Sequence, residues 1–200
     1  MIRWTTFAAL AALAACTTVP VSTLWRLSQV DILTVDAAGL RVAVKAPEAL
    51  ALPRDGAVMT VGARRPDGRE IQERFVLAPA PQAEADPDLA DHASAGFALR
   101  AYRVAPEDLE RLDAARADIR AWKAEAGDAV QGSLSIAARA CPRGPAPLDG
   151  PLPVSTFLRF DAQERWFKLS GPDDIADHID AAGLTAEPGA PGCPPARPAS

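Results

Sequence analysis

The sequence predicts an α+β domain: an antiparallel sheet of consecutive β-hairpins with one main helix packed on it. Three observations carry this. Stretches of period-two alternation flank short turns at residues 36–39, 65–68 and 161–164. One long stretch, residues 106–126, repeats its apolar residues at helical spacing instead. The segments between are punctuated by 19 prolines and 13 glycines, which cut the chain into short elements. The alternative architecture is a β-sandwich with added helices.

The first strand-like text is residues 24–34, where Val30, Ile32 and Thr34 alternate with Gln29, Asp31 and Leu33. After Asp36-Ala37-Ala38-Gly39, the residues Leu40, Val42 and Val44 alternate with Arg41, Ala43 and Lys45, which predicts a first hairpin with one buried face. A second hairpin spans residues 57–77 around Pro66-Asp67-Gly68, a turn in which proline fixes φ and glycine accepts positive φ. Residues 78–94 are acidic and proline-rich without periodicity, and read as an exposed loop. A fifth strand covers residues 96–104, with Phe97, Leu99 and Ala101 on one face.

Pro106-Glu107-Asp108 opens the helix, since proline suits its first position and acids favour the positive end of its dipole. Leu109, Leu112, Ala115 or Arg116, Ile119 and Trp122 form the apolar stripe, with Trp122 read as core packing, and Gly127 ends it. A strand over residues 129–140 leads to Cys141, followed by a loop, 142–153, containing five prolines. A third hairpin pairs residues 154–160 with 165–169, and Gly171-Pro172-Asp173-Asp174 opens a short helix carrying Ile175 and Ile179. Residues 185–200 form a Pro/Gly-rich tail containing Cys193. Residues 33–50 align without gaps to 158–175, both reading strand, Asp-Ala turn, strand, Pro-acid; a single such pair reads as coincidence rather than duplication.

Residues 1–15 have the make-up of an export leader: Arg3, then an uncharged apolar run over residues 5–15, too short to span a bilayer. Its end, Leu13-Ala14-Ala15-Cys16, followed by Thr17 and Thr18, resembles the lipobox of bacterial lipoproteins. The resemblance implies cleavage before Cys16 and acylation of Cys16, with residues 16–23 as lipidated cysteine and tether and 24–184 as a single domain. Several acyl chains anchor stably where one holds only marginally. Thr17 rather than Asp after the cysteine implies, by the same analogy, the periplasmic face of the outer membrane. The alternative is an ordinary secretory leader cut near Ala15.

About 185 residues beyond the leader suffice for one domain with its own core and no structural metal. The formal charge is −5, and one unit more negative once Arg3 leaves. Such a chain lacks the basic footprint of nucleic-acid binding and has no general attraction for anionic head groups beyond its anchor. With Cys16 assigned to the leader, Cys141 and Cys193 remain as an even pair in an oxidising compartment, which predicts a disulfide. Closing its loop of about 50 residues is worth about 4 kcal/mol in the chain-entropy model. Two free thiols or a catalytic cysteine are the alternatives.

The catalytic inventory is thin. His92 lies among Asp86, Asp88 and Asp91, and His178 follows Asp174 by four positions beside Asp177. Zinc wants further His or Cys ligands, and a solvated acidic face accounts for both clusters. No Gly-x-Ser-x-Gly, His-Glu-x-x-His or phosphate-binding Gly-Lys loop occurs. Ser133 and Ser135 expose hydroxyls on a strand with no histidine tied to them. No cofactor or metal is expected, and the chain reads as non-enzymatic. Phe157, Phe160, Trp166 and Phe167 crowd both faces of the third hairpin: one side enters the core, while the other is covered by the main helix or left as an interaction surface. The functional expectation is a lipid-anchored envelope protein acting by binding or assembly with an envelope protein partner. A small-ligand or lipid-binding module comes second, and a cell-wall enzyme without a motif third.

Overall fold

The computed structural model describes residues 33–143, 150–161, 163–175, 179–180 and 183–184. Strands β1 (Arg41–Pro47), β2 (Leu50–Ala51), β3 (Ala57–Arg64), β4 (Glu70–Val76) and β5 (Ala78–Pro79) come first, then two short helices, α1 (Pro81–Glu84) and α2 (Pro87–Ala90). Next come β6 (Phe97–Arg103), the main helix α3 (Leu109–Ala126), β7 (Gln131–Ala138) and β8 (Cys141–Pro142). Last are β9 (Pro153–Arg159), β10 (Phe167–Asp174), β11 (Ile179–Asp180) and β12 (Gly183–Leu184). The class is α+β, with antiparallel pairing throughout. A five-stranded sheet runs β10-β9-β1-β6-β5 and a three-stranded one β4-β3-β7; β2-β8 and β11-β12 are small ribbons.

Both large sheets and α3 share one core. Val42 and Val44 of β1 and Leu158 of β9 pack there with Met59 and Val61 of β3, Phe75 of β4, and Leu112 and Ile119 of α3. The helix lies there because its stripe does: Leu112, Ala115, Arg116 and Ile119 are buried. Arg116 belongs to that stripe, yet its guanidinium is satisfied, Nη1 donating to the Val35 carbonyl at 2.7 Å. One turn on, Arg120 Nη1 donates to the Leu33 carbonyl at 2.6 Å, so α3 fixes the path by which the chain reaches β1. Trp122 packs against the core under the Arg65 and Arg69 guanidiniums, 5.5 and 5.8 Å from its ring. Gly127 ends α3 at φ 57°, a conformation only glycine adopts freely.

The second hairpin forms as expected, β3 against β4 from Val58↔Val76 to Arg64↔Glu70, and the third as β9 against β10. The consecutive-hairpin order fails elsewhere. The turn after Asp36 exists, with Gly39 N–H bonded to the Asp36 carbonyl at 3.0 Å, but residues 33–39 are turn and bend rather than strand, and 30–32 lie outside the described residues. β1 leaves that turn to pair with β6 and β9. The physical reason is burial on both faces: Val42, Ala43 and Val44 are all fully buried, which suits a central strand and not a hairpin arm. β7 likewise returns after α3 to pair with β3. The helix expected from Gly171 is strand instead, because β10 continues to Asp174 opposite Pro153. Residues 158–175 therefore do not repeat the structure of 33–50. No helix among the described residues is long and apolar enough to cross a membrane.

Truncating the α3 stripe tests this packing. Ile119→Ala should lower stability by about 2–5 kcal/mol, measured by denaturant unfolding. Arg120→Lys, which retains charge but loses the guanidinium fork, should cost far less.

Candidate functional site

All four aromatics of the third hairpin are buried: Phe157 and Phe160 at 2% exposure, Trp166 at 4% and Phe167 at 9%. That removes them as an interaction surface. Phe160 and Phe167 enter the main core, their ring centroids 5.6 Å apart. Phe157 and Trp166 point to the other side of the five-stranded sheet. What covers them is not the main helix but the segment read as an exposed loop. There Ala80, Ala83 and Leu89 of that segment pack with Ala43, Ala101, Phe157 and Trp166. The prolines that suggested a loop are helix starts: Pro81 and Pro87 occupy the first turns of α1 and α2, and Asp86 caps α2 by accepting from the Asp88 N–H at 2.9 Å.

The acidic cluster serves this covering layer. Asp86 pairs with the buried Arg159, whose guanidinium also lies 4.9 Å from the centre of the Trp166 ring. Asp88 accepts from Arg165 Nε at 2.8 Å and from the Trp166 backbone N–H at 2.7 Å. His92 lies against Phe157, centroids 4.6 Å apart, and its carbonyl accepts from Lys45 Nζ at 2.9 Å. Burial alone would raise the Asp86 pKa, but the Asp88 N–H, the Arg159 hydrogen bond and the Arg159 charge outweigh it and hold the carboxyl below its usual range. Among the described residues, no group of three His, Cys, Asp or Glu side chains could hold a metal ion. His178, Cys16 and Cys193 lie outside the described residues. Cys141 is buried in β8, and β12 packs beside that strand.

Sheet edges supply the surface that sequence reasoning missed. Three of the four in the large sheets carry devices against strand addition. β5 is two residues long and ends in proline. β10 is broken by register shifts and contains Pro172. β4 carries Glu70, Glu73 and Arg74, and Arg111 of α3 donates to the Arg74 carbonyl at 2.9 Å and to Glu73 at 2.7 Å. β7 has none of these. It is eight residues long, Gln-Gly-Ser-Leu-Ser-Ile-Ala-Ala, with no charge and no proline, and among the described residues its only ladder is to β3.

The register sets out the face beside that edge. Val76, Val58 and Ala137 form one row, Arg74, Thr60 and Ser135 the next, and Gln72, Gly62 and Ser133 a third. Val76 is 49% exposed. Ser133 and Ser135 are exposed, as their alternation suggested. Gly62 makes an open hollow of about 300 Å³, walled by Arg64, Glu70, Gln72, Gln131 and Ser133. A Cβ on Gly62 would come within 2.9 Å of the Ile71 carbonyl and of Ser133 Oγ. The only sequence sign of this surface is the lack of charge from Ala129 to Ala138; that β7 is an edge depends on a pairing across α3.

Fold and surface together define a class: an antiparallel α+β protein with, among the described residues, one unguarded sheet edge beside a small-residue face. Compared with protein families, curated proteins and solved structures, the chain matches none.

Trp166→Ala should destabilise the fold by about 3–5 kcal/mol, seen as a large fall in melting temperature. Asp86 has a lowered folded-state pKa, so its stabilisation is complete above the unfolded carboxylate value, about 3.9, and is lost as pH falls through the folded one. In an acid titration of unfolding, Asp86→Asn should lie below the wild-type curve at neutral pH and converge with it under about pH 4.

Proposed function

We propose that the chain is a lipid-anchored protein of the bacterial envelope that acts by binding, without catalysis, and accepts an extended segment of a protein partner along β7. The observation that carries the binding mode is the unguarded edge. An added strand would extend β4-β3-β7, its main chain giving affinity and the Ser133–Gly62 and Val58–Val76 rows giving side-chain selectivity. The hollow at Gly62 is open and polar-walled, which suits one side chain of such a segment better than a lipid held alone.

The anchor rests on Arg3, the apolar run and Leu13-Ala14-Ala15-Cys16; Thr17 supports the outer membrane. Pairing of Cys141 with Cys193 is part of the same reading. Its support is the passage of β12 beside β8, which delivers the chain next to the buried Cys141 nine residues before Cys193.

Native mass spectrometry of protein gently extracted from its own membrane should show acyl mass on Cys16, a two-hydrogen deficit and a bound partner. Ser133→Lys with Ser135→Lys places charge on the edge strand. The pair should reduce partner capture at least ten-fold while moving stability by no more than about 0.5 kcal/mol. Unchanged capture would contradict binding along β7.

A further inference from the structure

On the outer face of the five-stranded sheet, the ladder sets three arginines abreast: Arg41 is the direct partner of Arg103 on β6 and of Arg159 on β9. Direct partners in a ladder project to the same side, and like charges so placed oppose one another. Only Arg159 is neutralised within the row, by Asp86. Arg41 donates Nη1 to the Ala38 and Leu40 carbonyls, at 2.6 and 2.8 Å. Its Nε and Nη2 make no bond among the described residues. Arg103 is exposed, and its side chain makes neither hydrogen bond nor ion pair there. Burial first, then the charges of Arg103 and Arg159, depress the Arg41 pKa, with Asp36 acting in the opposite sense. Among the described residues, neither the Arg41 nor the Arg103 guanidinium is ion-paired with a carboxylate, in a chain whose net charge is negative. Arg41 is also the first residue of β1, so the row marks the end of the sheet at which the chain arrives from its N-terminal side.

We propose that Arg41 and Arg103 seat the phosphate of an anionic phospholipid head group on the membrane that carries the anchor. This rests on the lipid-anchored reading and adds an orientation to it. A guanidinium fork matches phosphate oxygens in pairs, and two on adjacent strands surround one phosphate from two sides. Net negative charge does not prevent this, because physiological salt confines electrostatics to about 8 Å and the row acts locally. Docking this sheet end on the head groups would hold the domain in one attitude at the surface.

The test footprints arginines with phenylglyoxal in the full-length acylated protein, reconstituted into vesicles of phosphatidylcholine alone or mixed with phosphatidylglycerol. Arg103 should be modified about five-fold more slowly on the mixed vesicles, the effect of one arginine at an anionic surface. Exposed Arg143, which donates to the Glu48 carbonyl past the end of β1 opposite Arg41, should react equally on both, and in Arg103→Gln the protection of Arg41 should fall. Equal rates for Arg103 on the two membranes would overturn the proposal. So would equal protection of Arg143, which reports charge in general, or protection on neutral vesicles by inorganic phosphate alone, which reports a soluble-anion seat. A chain without acyl mass overturns the anchored reading before any arginine is probed, whereas an acylated chain with unprotected Arg103 overturns the seat alone.

Discussion

The structure depends on a central strand, β1, that is apolar on both faces. Val42 and Val44 need a cover on one side and Ala43 on the other. Two independent layers supply these. Inside, the β4-β3-β7 sheet and α3 close the main core. Outside, the short helices α1 and α2 lie over Ala43, Ala101, Phe157 and Trp166, held by Asp86 on Arg159 and Asp88 on Arg165 and Trp166. The outer layer is small and apolar only at Ala80, Ala83 and Leu89, so its ion pairs and caps specify where it sits as much as burial does. Removing one partner of the buried Arg159 pair leaves a charge without compensation, the costly half of such an interaction.

That same division explains what was legible in the residues. Period-two text flanking Pro66-Asp67-Gly68 and helical spacing from Leu109 to Trp122 are local signals, and both elements form where they are read. Failures fall where the partner is distant in sequence. Val42 and Val44 alternate like a hairpin arm, but β1 finds β6 and β9 some 60 and 110 residues on. Pro81, Pro87 and Asp86 were correct helix-start chemistry inside a segment whose composition looked like loop. The residues put aromatic bulk on both faces of the third hairpin, yet a sequence cannot say which face enters the core or which layer covers the other.

The candidate surface was less legible still. Cross-strand neighbours of Gly62 come from β4 and β7, and only the sheet order of the described residues makes β7 an edge. Strand addition is an economical function for such a fold: the backbone of β7 is already extended and held by β3, so a partner segment carries most of the ordering entropy. The proposed anchor would add to this, because confinement to a membrane raises the effective concentration of an envelope partner. The proposed arginine seat lies on the other sheet, so orientation at the membrane and capture along β7 act through separate surfaces.

The most direct measurement is hydrogen exchange of the β7 amides, followed in the native envelope and again in the purified protein. The account predicts that the alternate amides of residues 131–138 not bonded to β3 exchange rapidly once purified and are protected in the envelope, while β3 is unchanged between the two. Equal exchange of those amides in both settings would contradict the assignment of β7 as the binding edge.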